Sequence, residues 1–411
     1  MKFGLLGRTL SHSFSPLIHN ALGNTNYELF EREPSQLQEF FANPELQGIN
    51  ITFPYKVNAL EACDVVDPRA ERIGCVNTMV RKDGKWHGYN TDYDGFVFTL
   101  KHAGIDVSDK ECIILGDGAS SATVHVALED LGAKSITHLS RKTAPLYTDA
   151  PNYYETAQII INCTPIGMYP HNPASLIDIM QFSKLEGVVD LIYNPRRTVL
   201  LLQAEMMDIP HCDGLPFLVA QGVEAANHFQ GESFGTKEIE QILQDMRREK
   251  ENIILIGMPG VGKTTVGKAI GKEMGRTCID VDQELAKEIG DISTYITEQG
   301  EAAFREKEAE MIAKLGTETG LVISTGGGCV TVPKNYAHLR QNGRIYQLTQ
   351  PVEKLSTSGR VLSGGGIERL RELEKTRTPM YESFAQCIVE HNRNAPKTVA
   401  AILEDFEANL L

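Results

Sequence analysis

The sequence predicts an α/β protein built on parallel sheets. Short apolar runs alternate with helical stretches through residue 247, the pattern of repeated strand–helix units. Two apolar runs, one among these at 111–118 and one beyond them at 253–265, end in glycine turns that open onto helices. The stretch from Thr236 to about Glu249 is amphipathic and then charged, and the second of these strands begins at once, with no Gly/Ser-rich or Pro-rich linker between.

The chain has 411 residues, enough for two or three domains. Hydrophobic residues make up 42% and charged residues 23%, so a folded chain is expected rather than a disordered one. The net charge of −14 argues against nonspecific binding to nucleic acid or anionic membrane, both of which need a basic face. It leaves room for small anionic ligands, which need only local Arg and Lys. The eight cysteines are scattered singly, with no C-x-x-C, which predicts reduced thiols of a cytoplasmic protein rather than a disulfide frame or zinc site. The opening MKFGLLGRTL is too short and too glycine-broken for a signal peptide, and no apolar run approaches a membrane span.

In chain order, Lys2 to Leu6 reads as a strand entering the loop SHSFSP at 11–16, with a helix from about Pro16 to Leu22. The strand beginning at Gly48 stops at Pro54 and delivers Thr52 and Lys56 to one end of a sheet. Val76 to Arg81 and Lys85 to Gly88 form a hairpin around Asp83-Gly84. The polar turn at 88–95 leads into a helix from about Tyr93 to Ala103.

A buried strand at 111–118 then enters the turn Gly116-Asp117-Gly118-Ala119-Ser120, which approximates a dinucleotide loop without its third glycine. The next strand, Ser135 to Leu139, ends in Ser140-Arg141-Lys142. An acidic residue there would favour NAD, whereas an arginine accommodates the 2′-phosphate of NADP. Strands at Gln158–Asn162 and Gly187–Ile192 continue the sheet, and the segment 141–162 is short for a strand–helix–strand unit, so a helix there is missing or reduced.

Residues 1 to about 247 resemble shikimate dehydrogenase. The resemblance rests on SHSFSP at 11–16, NITFPYK at 50–56, VNT at 76–78, NTDYDG at 90–95, NCTPIGM at 162–168, DLIYNP at 190–195 and GLPFLVAQG at 214–222. It implies a catalytic substrate domain at 1–98, with 215–247 returning to it, and a Rossmann-type NADP domain at 99–214. Lys56 would be the acid–base residue and Asp92 its partner. Ser13, Ser15, Thr52, Asn77, Asp92, Tyr193 and Gln221 would bind the substrate, and a set of hydroxyl and amide groups suits a polyhydroxylated ring. Gly116, Asp117, Gly118, Ala119, Ser120, Ser140, Arg141, Lys142, Thr164 and Gly214 would hold NADP. Asp117 and Ala119 depart from the family's G-A-G-G-A loop, which bears on cofactor affinity more than on cofactor type. Two other readings of this half stay open: a degenerate binding or regulatory module, motivated by that loop, and a quinate/shikimate dehydrogenase using NAD, against which Arg141 and the Ser13/Ser15 pair speak.

The second glycine turn is a complete G-x-x-x-x-G-K-[ST] phosphate loop, Gly257 to Thr264, between strand and helix. Its backbone N–H groups and helix N-terminus suit phosphate oxygens, Lys263 can reach the terminal phosphates, and Thr264 can ligate Mg²⁺. Beyond it, Thr277 to Asp282 reads as a strand end with two carboxylates, 300–308 as a helix, 321–328 as a strand entering three glycines, and Arg377-Thr-Pro379-Met-Tyr381 as the opening of another helix. With GEAAFREKE at 300–308, STGGG at 324–328 and TRTPMY at 376–381, residues 251–411 resemble shikimate kinase, a P-loop domain like the nucleoside-monophosphate kinases. By that resemblance Gly260, Val261, Gly262, Lys263, Thr264, Thr265 and Arg360 bind ATP. Lys263 and Arg360 act on the transferring phosphoryl group, and Arg360 belongs to a lid that includes Gly364 to Gly366. Asp282 takes the substrate hydroxyls, while Arg305, Arg377 and Gly327 take its carboxylate. Asp280 supports one Mg²⁺ through Thr264, and Arg393 stacks on adenine. Another small-acid kinase is the alternative for this half.

The two resemblances together imply a bifunctional enzyme that reduces 3-dehydroshikimate with NADPH and then phosphorylates the product with MgATP. Its partners would be small molecules only, and a monomer is compatible with the sequence.

Overall fold

The computed structural model describes residues 2–10, 13–170, 172–356, 366–392 and 394–410. The chain divides into two compact units, Met1–Leu243 and Gln244–Leu411.

The first unit contains two sheets. The first has six strands, β1 (Lys2–Gly7), β2 (Tyr27–Glu31), β3 (Leu46–Ile51), β4 (Val65–Val66), β5 (Thr78–Lys82) and β6 (Lys85–Tyr89), in the order β2-β1-β3-β5-β6-β4. β1 runs parallel to β2 and β3, while β5 and β6 form the expected antiparallel hairpin, turning at Asp83 and Gly84, both with positive φ. β3 carries the chain to the turn before Lys56, which opens a helix, Lys56–Ala62, that the sequence reading did not anticipate.

The second sheet is wholly parallel: β7 (Glu111–Leu115), β8 (Ser135–Leu139), β9 (Ile159–Asn162), β10 (Gly187–Asp190) and β11 (His211–Cys212), in the order β11-β10-β9-β7-β8. Successive side chains of a strand point to opposite faces. On β7, Ile113 and Leu115 join one apolar cluster, while Cys112 and Ile114 join another. Both faces are therefore covered, as a parallel sheet requires. Between β8 and β9 the crossover is 3₁₀ turns at Tyr147–Tyr153, so the reduction expected for the short segment 141–162 is what the chain adopts.

The second unit holds a five-stranded parallel sheet, β12 (Asn252–Gly257), β13 (Cys278–Asp280), β14 (Val322–Ser324), β15 (Gly343–Thr349) and β16 (Cys387–Glu390), in the order β13-β14-β12-β15-β16. Its dividing point from the first lies inside the helix Thr236–Lys250, earlier than the expected 251. The last turns of that helix belong to the second unit because Arg247 donates to the Leu410 carbonyl at 2.9 Å and Arg248 pairs with Glu407. One residue, Glu251, separates the helix from β12.

Two sequence expectations change here. Asp282 is not on a strand end but in the first turn of the helix Val281–Ile289, whose N-cap is Asp280. Arg377 to Tyr381 do not open a helix. They lie in the final turns of Gly366–Phe384, with Pro379 inside it. A proline within a helix removes one backbone bond, and the rule that reads Pro as a helix start failed against the preceding turns. No helix among the described residues is long and apolar enough to cross a membrane.

His19, on the helix Ser15–Ala21, is 1% exposed and stacks on Tyr27 with ring centroids 3.9 Å apart. Burial drops its pKa to about 3. The unfolded chain therefore takes up a proton first as pH falls, and stability is lost from about pH 6.5 towards 3, by up to about 1.4 kcal/mol per pH unit. His19→Gln is expected to flatten this dependence. Acid unfolding followed by the fluorescence of the single tryptophan, Trp86 of the first unit, checks it. Identical slopes for parent and variant would contradict the assignment.

Candidate functional sites

In the first unit, four side chains from separate elements meet. Lys56 opens one helix, Asp92 opens another (Asp92–Ala103), Asn77 immediately precedes β5, and Gln221 lies on Leu215–Gln230. The Lys56 ammonium bonds Asp92 Oδ2. Asp92 Oδ1 accepts from Asn77 Nδ2 at 2.8 Å, and the same nitrogen lies 3.4 Å from Gln221 Oε1. Gly95 allows this meeting. A Cβ there would stand 2.8 Å from the Phe217 carbonyl and 3.0 Å from Gln221 Cβ, so only glycine lets the two helices approach so closely.

The side chains of Lys56 and Asp92 are 13% and 5% exposed. Burial alone would lower the lysine pKa, but the Asp92 charge and hydrogen bond outweigh it, and the net shift is upward. Lys56 is thus a cation at neutral pH.

Ser13 and Ser15 lie together at the start of the first helix, with hydroxyls 3.2 Å apart. The Ser13 oxygen also accepts the Ser15 backbone N–H, a local turn that leaves both hydroxyls grouped. The Phe14 ring between them packs on Tyr193 at 5.2 Å, which brings Tyr193 to the same end. Thr52 sits just past β3, four positions before Lys56.

The proposed dinucleotide turn follows β7. Gly116 has φ +116 and Gly118 is the N-cap of the helix Ala119–Asp130, so the helix N-terminus faces an open cleft of about 580 Å³. Asp117, Gly118, Ser140, Thr143 and Tyr153 are among its lining. Backbone N–H groups at a helix N-terminus suit a pyrophosphate. Ala119 and Ser120 are half-buried in the first turn of that helix, and Arg141 and Lys142 are exposed on the turn leaving β8. Ser140 is buried, and its hydroxyl donates to the Thr143 carbonyl at 2.7 Å and accepts the Thr143 N–H at 2.8 Å, so it shapes that turn at the wall of the cleft. Thr164 is held by Asn162 Oδ1, through its N–H at 3.0 Å and its hydroxyl at 2.8 Å. Asn162 in turn donates to the buried Asp190, whose pKa burial pushes up to about 7. Gly214 is a packing residue: a Cβ there would lie 2.1 Å from the Leu191 carbonyl.

In the second unit, the phosphate loop joins β12 to the helix Lys263–Met274. The Lys263 ammonium is buried against the Gly257 and Met258 carbonyls, at 2.8 and 3.2 Å. Gly260 and Gly262 both have positive φ, Val261 turns its side chain into the core, and Thr265 is exposed. Thr264 Oγ1 donates to Asp280 Oδ2 at 2.5 Å. No cluster of three or more His, Cys, Asp or Glu able to hold a metal occurs among the described residues. A hydroxyl backed by a carboxylate nevertheless suits Mg²⁺, which takes one or two protein ligands and completes its shell with water and phosphate.

Opposite the loop, the glycines after β14 are enclosed by charge. A Cβ on Gly326 would stand 2.3 Å from Glu308 Oε1 and 2.8 Å from Asp282 Oδ1, and one on Gly328 would lie 2.1 Å from the Arg305 guanidinium. Arg377 Nη1 donates to the Gly327 carbonyl at 3.0 Å, and the Tyr381 hydroxyl donates to the same oxygen. Arg305 bonds Glu308 at 2.7 Å and Glu301 at 3.1 Å. Burial acts to lower the Arg305 pKa, but Glu308 outweighs it and the guanidinium stays charged. Arg360, Arg393, Gly364 and Gly365 lie outside the described residues.

Sequence reasoning missed Glu308, Asn162, Asp190 and the polar run His19–Asn50–Thr78. Each carried a faint signal: a polar residue where the strand or helix pattern called for an apolar one.

The family model for shikimate kinase matches residues 259–407, and that for the shikimate dehydrogenase substrate binding domain matches residues 5–79. The chain is 35% identical over 246 residues to a shikimate dehydrogenase (NADP(+)) of Clostridium beijerinckii, covering 56% of this chain and 91% of that protein. A Clostridium perfringens protein of the same name is 33% identical over 265 residues, covering 60% and 98%. Shikimate dehydrogenase 1 from Peptoclostridium difficile superposes with a TM-score of 0.55 at 33% identity, over 60% of this chain and 98% of that one. A chorismate mutase/shikimate 5-dehydrogenase fusion from Clostridium acetobutylicum gives 0.56 at 31%, over 59% and 96%. The chain therefore belongs to the shikimate dehydrogenase family and carries a shikimate kinase domain behind the dehydrogenase.

Proposed function

We propose that this chain performs two consecutive steps on one carbon ring: NADPH-dependent reduction of 3-dehydroshikimate to shikimate in the first unit, and MgATP-dependent phosphorylation of shikimate to shikimate 3-phosphate in the second. The observation that carries the reading is convergence. Lys56, Asp92, Asn77 and Gln221 come from distant parts of the sequence to one site, and Asp282, Arg305 and Arg377 gather likewise on Gly326 to Gly328.

In the first unit, bound NADPH supplies a hydride. Lys56, held cationic and aimed by Asp92, delivers the proton to the ketone oxygen. Asn77, Gln221, Thr52, Ser13, Ser15 and Tyr193 bind the carboxylate and hydroxyls that orient the ring. Arg141 and Lys142 take the cofactor's 2′-phosphate, which selects NADP over NAD. The intact Lys56–Asp92 pair and the open cleft at Gly118 favour an active dehydrogenase over a degenerate binding module.

In the second unit, bound MgATP supplies the phosphoryl group. Arg305 and Arg377 clamp the shikimate carboxylate, since guanidinium forks match its geometry. Asp282 accepts from the ring hydroxyls. Lys263 exchanges its loop carbonyls for phosphate oxygens, and Thr264 with Asp280 places Mg²⁺. The role of Arg360 on the transferring group rests on sequence alone. We place the protein in the cytoplasm, in keeping with eight cysteines that form no disulfide, and propose small-molecule partners only.

Each step is separately removable. Lys56→Ala is expected to lower kcat for reduction by about 10²–10⁴, the range for a lost general acid, with phosphorylation of added shikimate unchanged. Lys263→Ala is expected to do the reverse. Initial rates for both reactions on both variants check this, and loss of both activities from either substitution would contradict it. Arg141→Ala is expected to cut kcat/KM with NADPH about tenfold or more, the scale of one lost charged contact, while leaving NADH unaffected. Equal losses with the two cofactors would remove Arg141 from the 2′-phosphate site.

A further inference from the structure

Behind the Lys56–Asp92 pair lies a continuous run of buried polar side chains. Asn50 on β3 stands opposite Thr78 on the antiparallel β5, so the two can meet across the ladder. Asn50 Nδ2 lies 3.0 Å from Thr78 Oγ1, and Thr78 Oγ1 lies 3.2 Å from Asn77 Oδ1. On the far side, the Tyr27 hydroxyl and His19 Nε2 reach Asn50 Oδ1 at 2.7 and 3.1 Å. Asn50, Thr78 and His19 are all buried.

Hydrogen-bond directions along this run follow from its two ends. At one end, the Thr91 backbone N–H can only donate, and Asn77 Oδ1 accepts it at 2.7 Å. Asn77 must then present its amide nitrogen to Asp92. At the other end, His19 Nδ1 is buried without a partner. A bare lone pair is tolerated there better than an orphaned N–H, so the ring proton sits on Nε2 and is donated to Asn50 Oδ1. The Tyr27 hydroxyl donates to the same oxygen. Asn50 consequently turns its nitrogen to Thr78, and the Thr78 hydrogen is left for Asn77 Oδ1 at 3.2 Å or for Thr91 Oγ1 at 3.1 Å, a hydroxyl that itself bonds the Asn77 amide. From His19 and Tyr27 through Asn50 to Thr78, the donors point towards the Asn77 amide.

We infer that Asn50 and Thr78 are positioning residues for the reduction: together with the Thr91 N–H they hold the Asn77 amide in the orientation that aims its N–H at Asp92, and so fix the carboxylate that steadies Lys56. Both side chains are buried. A reversed Asn77 amide would set its oxygen against the Asp92 carboxylate. The inference rests on the reading of the first unit as a ketone reductase.

The test uses the full chain, with shikimate phosphorylation in the same preparation as a folding control. Thr78→Val, which keeps shape and removes the hydroxyl, is expected to lower kcat for 3-dehydroshikimate reduction about tenfold, the scale of one hydrogen bond, with KM for NADPH unchanged. Thr78→Ser should restore kcat to within about twofold of the parent. In an Asn77→Ala background, Thr78→Val should add less than about a twofold loss, because its effect passes through Asn77. If Thr78→Val disturbs Trp86 fluorescence, Asn50→Asp takes its place, and the same fall in kcat is expected. The relay is overturned by a Thr78→Val or Asn50→Asp enzyme as fast as the parent, by a serine variant as slow as the valine, or by losses that multiply with Asn77→Ala. A parent that fails to reduce 3-dehydroshikimate overturns the reductase reading and the relay together, whereas an active parent with indifferent variants overturns the relay alone.

Discussion

A lysine ammonium held out of water needs a carboxylate beside it. Removing one partner of such a pair leaves an uncompensated charge, at a cost of about 3–5 kcal/mol. The first unit is arranged around keeping Asp92 against Lys56. β3 ends just before the lysine, and a helix begins on the aspartate. Gly95, three residues into that helix, lets Leu215–Gln230 close over it and brings Gln221 to Asn77. Asn77 then occupies the second oxygen of Asp92. The same contacts that satisfy the buried charge leave Lys56 with a proton to give, so the stability argument and the chemical argument fall on the same atoms.

The second unit meets a related constraint with more charges. Glu308 is fully buried, and burial raises its pKa, yet Arg305 lies against it. That pairing fixes the guanidinium over Gly328, where no side chain would fit. Arg377 is fixed from the other direction by the Gly327 carbonyl. Two cations are thereby set around three glycines, with Asp282 close to Gly326. A small carboxylic acid with hydroxyls offers the complementary pattern: one anion for two forks, and hydroxyl donors for one carboxylate.

Both glycine turns, all four strands read in the parallel sheet of the first unit and the hairpin at Asp83-Gly84 were legible because local chemistry dictates them. So was the missing crossover helix, from chain length alone. Where the reading failed, tertiary context decided. Pro379 suggests a helix start, but the turns before it pack well enough to continue through it. Asp282 belongs to a helix because Asp280 caps that helix, accepting the Gln283 N–H at 3.2 Å. Lys56 and Asp92 could be named from motif resemblance, but a polar residue on or beside an apolar strand marks Asn50, Thr78 and Asn162 only faintly and does not say what they meet. Their significance lies in which donors and acceptors they meet across strands, and that is set by register.

The most direct measurement is a single reaction in which the intact chain receives 3-dehydroshikimate, NADPH, ATP and Mg²⁺, with products followed by mass spectrometry. Shikimate 3-phosphate is expected to accumulate, with NADPH and ATP consumed in equal amounts. Consumption of neither, or shikimate that builds up without being phosphorylated, would contradict it.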